Sequence, residues 1–176
     1  MHASLRNLMV FGTAFRLVSF MSVVPFVEAA PANTAISQER VVSADLSPEH
    51  FLQLTNLART AAGVPPLTLN AELDNAASAK DADMVAMGYW EHFRPSDGKA
   101  PWDFIHEAGY HYAVAGENLA RGYETSNGIT EAWLKSPAHA ANLLSAKYTE
   151  VGFACVRTTG PDGQPVLMTV QMFGSR

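Results

Sequence analysis

A chain of 176 residues that is 48% hydrophobic and 16% charged can bury one core and is poorly suited to disorder. Its 12 Lys and Arg against 17 Asp and Glu leave a formal charge of −5, which excludes the basic face that nucleic-acid binding needs. A single cysteine excludes a disulfide-stapled scaffold and a cysteine zinc cluster, and without repeats, G-x-G-x-x-G or Walker loops the nucleotide enzymes built on them are excluded too.

Residues 1–29 have the composition of a secretory signal peptide. Arg6 and Arg16 precede an apolar run from Leu17 to Phe26, and Val27-Glu28-Ala29 puts small side chains where a signal peptidase requires them. Arg16 interrupts the apolar stretch, so a cleaved peptide fits better than an uncleaved anchor, and no transmembrane domain is expected after cleavage. The expected destination is extracellular or periplasmic. Residues 30–46 lack periodicity and read as a flexible lead-in to a domain over 47–176.

Ser47-Pro48 starts a helix, a capping hydroxyl followed by proline in the first turn. Phe51, Leu54, Ala58 and Ala61 then repeat at helical spacing until Gly63 and Pro65-Pro66 stop the run. Asn70 caps a second helix over 71–87, with Leu73, Ala77, Met84 and Met87 predicted inward and Gly88 closing it. Shorter helices are predicted from Pro101 to Ala108 and from Gly128 to Lys135, the second burying Ile129, Ala132 and Trp133. Strands are predicted from Glu117 to Ala120, Glu150 to Thr158 and Val166 to Phe173, the last two joined by the turn Gly160-Pro161-Asp162-Gly163. Helices early and an antiparallel pair late describe an α+β domain with helices packed on a small sheet. Cys155 sits in the apolar run Val151 to Val156, where a buried, unpaired thiol is favoured over a reactive one.

Among the six histidines, His106 and His111 superficially suggest a zinc-protease helix, but they are five residues apart rather than four and Gly109 breaks the helix between them. His92 follows Tyr89 and Trp90 in a loop, and His139 follows Ser136-Pro137-Ala138 in a short apolar turn. Between them, Gly116-Glu117-Asn118 carries a carboxylate and an amide into a strand. A buried charge is costly unless paired, so Glu117 is expected to face a cleft or a cation. These residues alone leave two readings open: a two-His, one-Glu site, or three unrelated surface or hydrogen-bonded side chains.

Further motifs bear on that choice. They are Asn56-Leu57-Ala58-Arg59, Gly63-Val64-Pro65-Pro66-Leu67, Asp83-Met84, Trp90-Glu91-His92 and Gly116-Glu117-Asn118-Leu119-Ala120. Trp133, Ser136-Pro137-Ala138-His139 with Asn142-Leu143-Leu144, and Tyr148-Thr149-Glu150-Val151-Gly152-Phe153 complete the series. In that order they resemble the CAP superfamily (cysteine-rich secretory proteins, antigen 5, pathogenesis-related 1; also SCP-like) in its bacterial single-domain form. The resemblance implies an exported α-β-α sandwich with a small, mainly antiparallel central sheet. It also implies a cleft lined by two His and two Glu, in which the His pair holds a divalent cation, often zinc. By position the metal-holding pair is His92 and His139, and the first Glu is Glu117. The second Glu falls on Ser136, a departure that leaves Glu150 either as a substitute or as a cap or salt-bridge partner at a strand start. Asn118, Tyr89 and Trp90 are the adjacent residues expected to hold the imidazoles.

Three functions fit that expectation. The first is a secreted module whose cleft binds a divalent cation and a small-molecule or cell-envelope ligand, with Glu117 as third ligand or as partner of a ligand. The second is a metal-assisted, peptidase-like hydrolase with Glu117 and His139 as catalytic candidates, or with Ser136 as nucleophile. The third is a non-catalytic lipid- or sterol-binding or envelope-interaction module.

Overall fold

The computed structural model describes residues 45–176. The predicted signal peptide and all but the last two residues of the lead-in lie outside the described residues. Helix α1 spans Pro48–Ala61, capped by Ser47, whose hydroxyl accepts from the His50 amide at 3.2 Å. Strand β1 is Thr68–Leu69 and helix α2 is Ala71–Met87, with Asn70 as its cap. Helix α3 is Pro101–Glu107 and strand β2 is Val114–Arg121. Helices α4, Ser126–Lys135, and α5, Pro137–Leu143, follow. Strands β3, Glu150–Thr159, and β4, Pro165–Ser175, close the chain.

The sheet order is β1-β3-β4-β2, with β1 parallel to β3 and the other pairings antiparallel. Strand β4 is central, and its residues alternate between two cores because successive side chains face opposite ways. Leu167 and Phe173 join Phe51, Trp133, Leu143 and Phe153 under α1, α4 and α5. Met168, Val170 and Met172 join Leu73, Met84, Phe104 and Ile105 under α2 and α3. Covering both faces makes the domain an α-β-α sandwich, as expected, and explains why β4 reads as a nearly continuous apolar run. No helix among the described residues is long and apolar enough to cross a membrane.

Several boundaries differ from the sequence reading for physical reasons. Strand β2 runs on both sides of Gly116, because it pairs with β4 from Val114 to Arg121 and the glycine lies inside the ladder. Tyr148 crowds that glycine so closely that a Cβ would collide with the phenol. Helix α4 begins two residues early, since Thr125 rather than a later residue caps it through the Gly128 amide at 3.1 Å. The turn carrying His139 is a full helix, started by Pro137. On α2, Met87 is 56% exposed, and Lys80 and Asp81 occupy the inward face instead. Arg59, 0% exposed, is buried on α1, where its guanidinium donates to the carbonyls of Pro65, Leu143, Ser145 and Tyr148. Cys155 is free and half-buried rather than fully buried, with burial pushing its thiol up to about 11.

Candidate functional site

Strand β2 is an edge of the sheet, and Glu117 and Asn118 point to opposite faces from it. Glu117 sits beside Met172 on the α2–α3 face, and Asn118 sits beside Gln171 on the other. His92, in the loop after α2, places Nδ1 2.6 Å from Glu117 Oε1. The Glu117 side chain is 1% exposed and that of His92 is 50% exposed, so the pair runs from the interior to solvent. The bond to Glu117 raises the His92 pKa, against the opposing effect of burial. Burial raises Glu117 in turn, and the bond to His92 and the Lys80 charge only partly offset it. The two groups thus act on each other in opposite senses: Glu117 raises His92, and His92 lowers Glu117 against the larger effect of burial.

The loop bearing His92 is fastened from inside. Lys80, 0% exposed, donates from Nζ to the Tyr89 hydroxyl at 3.1 Å, the Glu91 carbonyl at 2.9 Å and the His92 carbonyl at 2.7 Å. Tyr89 donates to Asp83 Oδ2 at 2.6 Å, and Arg94 binds the same carboxylate. Tyr89 thus holds the loop rather than the imidazole, and Trp90 lies beneath the Arg121 guanidinium at 5.9 Å. The ring itself is oriented by Glu117.

His139 approaches the same strand on α5. Its Nδ1 lies 2.8 Å from Ser136 Oγ, and its carbonyl accepts from Asn118 Nδ2 at 3.2 Å. Asn142 Nδ2, one turn later, donates to the Glu117 carbonyl and to Asn118 Oδ1, both at 3.0 Å. These bonds lay α5 along the free edge of β2 and satisfy backbone that would otherwise be open. Burial lowers the His139 pKa, and the charge of His92 lowers it further, so the two rings are within electrostatic reach. Asn118 holds the backbone at His139, while Ser136 takes the place beside its ring.

Both rings have Nδ1 engaged, which leaves each Nε2 as the remaining donor to a cation. Two imidazole nitrogens are donors of the kind zinc takes, and two alone would leave its other coordination positions open. Among the described residues no cluster of three or more His, Cys, Asp or Glu is arranged to hold a metal ion. With Oε1 on His92 and Oε2 buried, Glu117 fits the role of orienting a ligand, not that of third ligand. Glu150 is not the substitute second acid. It accepts from Asn70 at 2.8 Å and Tyr110 at 2.6 Å; burial raises its pKa, but these bonds and Arg176 outweigh it and leave the carboxyl lowered. His106 and His111 meet edge to face, with ring centroids 5.4 Å apart, outside any shared helix.

A groove of about 460 Å³ between Tyr123, Ala132, Lys135 and Ser136 reaches the His139 partner, and one of about 380 Å³ lies by Trp90 and Arg121. The sequence reading missed two residues of the site, Lys80 and Asp81. Asp81 is 1% exposed and neither carboxyl oxygen has a hydrogen-bond partner; Oε2 of Glu117 is likewise unpartnered. The signal was present: residues 77, 80, 81 and 84 share one helical stripe with Ala77 and Met84, so the two charges had to face inward.

A helix-covered sheet with histidines anchored at its free edge places the molecule among the SCP-like sandwiches. Residues 52–173 match the Cysteine-rich secretory protein family, CAP, and the chain belongs to that family. It is 34% identical over 130 residues to the uncharacterized protein YkwD of Bacillus subtilis, covering 74% of this chain and 49% of YkwD. It is 30% identical over 106 residues to the uncharacterized membrane protein YlbC of the same organism, covering 60% of this chain and 30% of YlbC. The chain thus spans about half the length of the first relative and less of the second. In structure it is similar to an extracellular SCP-domain protein from Bacillus anthracis, with TM-score 0.62 and 24% identity over 73% of this chain and 40% of that one. It is also similar to an outer surface protein from Borrelia burgdorferi, with TM-score 0.59 and 22% identity over 81% and 95% of the two chains.

Proposed function

We propose that this chain is an exported CAP-domain protein that holds a divalent cation between His92 and His139 and presents it to a small-molecule or cell-envelope ligand. One observation carries the reading: both imidazoles have Nδ1 tied, to Glu117 at 2.6 Å and to Ser136 at 2.8 Å, so both Nε2 atoms remain for a ligand. A bound zinc ion would supply Lewis acidity and coordination positions open to water or to an oxygen ligand. The chain's own residues bind and orient. Glu117 fixes the His92 ring, Ser136 fixes the His139 ring, and Lys80 and Asn142 hold the segments that carry them. Export is supported by the signal-peptide composition of residues 1–29 and by the extracellular and outer-surface descriptions of the two structural relatives.

The test is elemental analysis of the chain purified without chelator, with calorimetric titration by zinc. The expected result is one zinc per chain, lost in both His92→Ala and His139→Ala while the circular dichroism spectrum is kept. Undiminished zinc binding in either variant overturns the reading.

A further inference from the structure

Helix α2 stops at Met87, and Gly88, left-handed at φ 67°, turns the chain into Tyr89 and Trp90. Between that turn and the end of the sheet lies the groove of about 380 Å³. Met168 on β4 and Arg121, its register partner on β2, line it from the sheet, together with Thr158 on β3. Met84, Tyr89 and Trp90 line it from the side of α2, and the β3–β4 turn at Gly160 closes one end. Neither His92 nor His139 lines it.

Arg121 is the unspent cation of this region. Among the described residues, Arg59 bonds to carbonyls, and Arg94, Arg157 and Arg176 pair with acids, whereas Arg121 has no acid within ion-pair distance and no hydrogen-bond partner. Its guanidinium lies 5.9 Å from the centroid of the Trp90 ring, which holds the cation by its face and leaves the N–H fork open. A Cβ on Gly160 would stand 3.8 Å from Arg121 Nη2, so the charge sits at the turn end of the groove. No acid lines the groove, and the Tyr89 hydroxyl is already bonded to Asp83 and Lys80. Asp162, in the same turn, accepts from the Gln164 amide at 3.1 Å.

We propose that this groove binds a small aryl carboxylate, its acid group on the Arg121 fork and its ring between Trp90 and the thioethers of Met84 and Met168. The charge selects the head group. One guanidinium with no second cation balances a monoanion, and its planar fork matches a carboxylate with two parallel bonds. The walls select the body, because methionine sulfur packs favourably on aromatic rings and its flexible chain adapts to a flat guest. The volume selects the size: it falls near the lower end of the roughly 300–1,000 Å³ of small-molecule sites, too little for a polymer. The site differs from the cation site between the histidines, and binding here requires no metal, so either reading can fail without the other.

The test is titration of the zinc-free full chain with naphthoate, followed by amide proton–nitrogen NMR, with neutral naphthamide as the control for charge. The expected result is a saturable shift of the Trp90, Arg121, Thr158 and Gly160 amides in the wild type. Arg121→Gln should weaken naphthoate about ten-fold or more with its melting temperature kept, since a charge-assisted bond is lost. Naphthamide should bind the wild type no more tightly than naphthoate binds the variant. No saturable shift, a shift confined to other amides, or undiminished naphthoate binding in Arg121→Gln overturns the proposal. Equal binding of naphthoate and naphthamide by the wild type overturns it without any variant.

Discussion

Asn118 donates from Nδ2 to Gln171 Oε1 at 3.0 Å across β2 and β4, and both side chains are wholly buried. The bond is part of a polar chain through the apolar core under α1, α4 and α5. Gln171 Nε2 reaches Thr55 at 3.4 Å, and Asn118 binds Asn142 and the His139 carbonyl. A satisfied buried network of this kind fixes register, because a slip of one residue would turn every member to the wrong face.

Replacing Asn118 by Leu therefore strands Gln171, Asn142 and a carbonyl together. The expected loss is about 2–4 kcal/mol of stability, since unsatisfied buried groups cost about 1–3 kcal/mol each and some will relax. Urea denaturation measures it, and a loss below about 0.5 kcal/mol would show that the network does not bind α5 to the sheet.

Trp133 and Phe153 flank Phe51, at ring-centroid distances of 6.2 Å and 5.2 Å, and Trp133 Nε1 donates to the Leu119 carbonyl at 3.0 Å. Truncating either to Ala should cost about 3–5 kcal/mol, with Trp133 the worse because it also leaves a carbonyl unpaired. Thermal melting checks both. Near-wild-type melting of both variants contradicts the assignment of this core.

The contrast between these cores and the site shows what the sequence made legible. Capping residues and glycine stops gave the bounds of α2 as observed, because Asn70 and Gly88 act locally. The inward set of α2 was misread because hydrophobic side chains alone were counted, and Met87 was taken in place of Lys80 and Asp81. Lys80 is buried for a tertiary reason: the carbonyls of a loop eleven and twelve residues away demand a cation. The His92–Glu117 contact was anticipated as a convergence. Ser136 was placed near His139 only as a candidate nucleophile, and its hydroxyl lies beside the ring at Nδ1. Strand β1 was missed because two residues carry no period, and only its parallel pairing with β3 defines it.

Asp81 makes a distinct prediction for stability against pH. Its folded value, about 8, lies above the ordinary aspartate value of 3.8. Between those limits the unfolded chain has released a proton that the folded chain keeps, so this residue's contribution falls as pH rises and levels off above about 8. The slope it can impose is at most about 1.4 kcal/mol per pH unit. Asp81→Asn removes that slope, so the variant should gain on the wild type steadily from about pH 5 to pH 8. Denaturant midpoints measured across the range check this; parallel curves would mean that Asp81 is ionised in the fold.

The two histidines should titrate in opposite directions from an ordinary imidazole in the zinc-free protein. His92 is raised by its bond to Glu117, so its contribution to stability is full below the unfolded imidazole value of about 6.5 and is lost as pH rises through its folded value. His139 is lowered by burial and by the His92 charge, so it costs stability as pH falls through about 6.5, where the unfolded ring takes a proton and the folded one does not. Proton NMR of the ring hydrogens should therefore show His92 protonating first on acidification. Glu117→Gln should bring the His92 midpoint down, and His92→Ala should bring that of His139 up. The same order bears on zinc, which needs both rings neutral. Zinc affinity should begin to weaken on acidification at a higher pH than an ordinary imidazole pair would give, because His92 is raised, and Glu117→Gln should move that onset to lower pH while weakening the hold on the ring. If the two histidines titrate together near the ordinary value, the rings are not held by Glu117 and Ser136, and the open Nε2 geometry has no support.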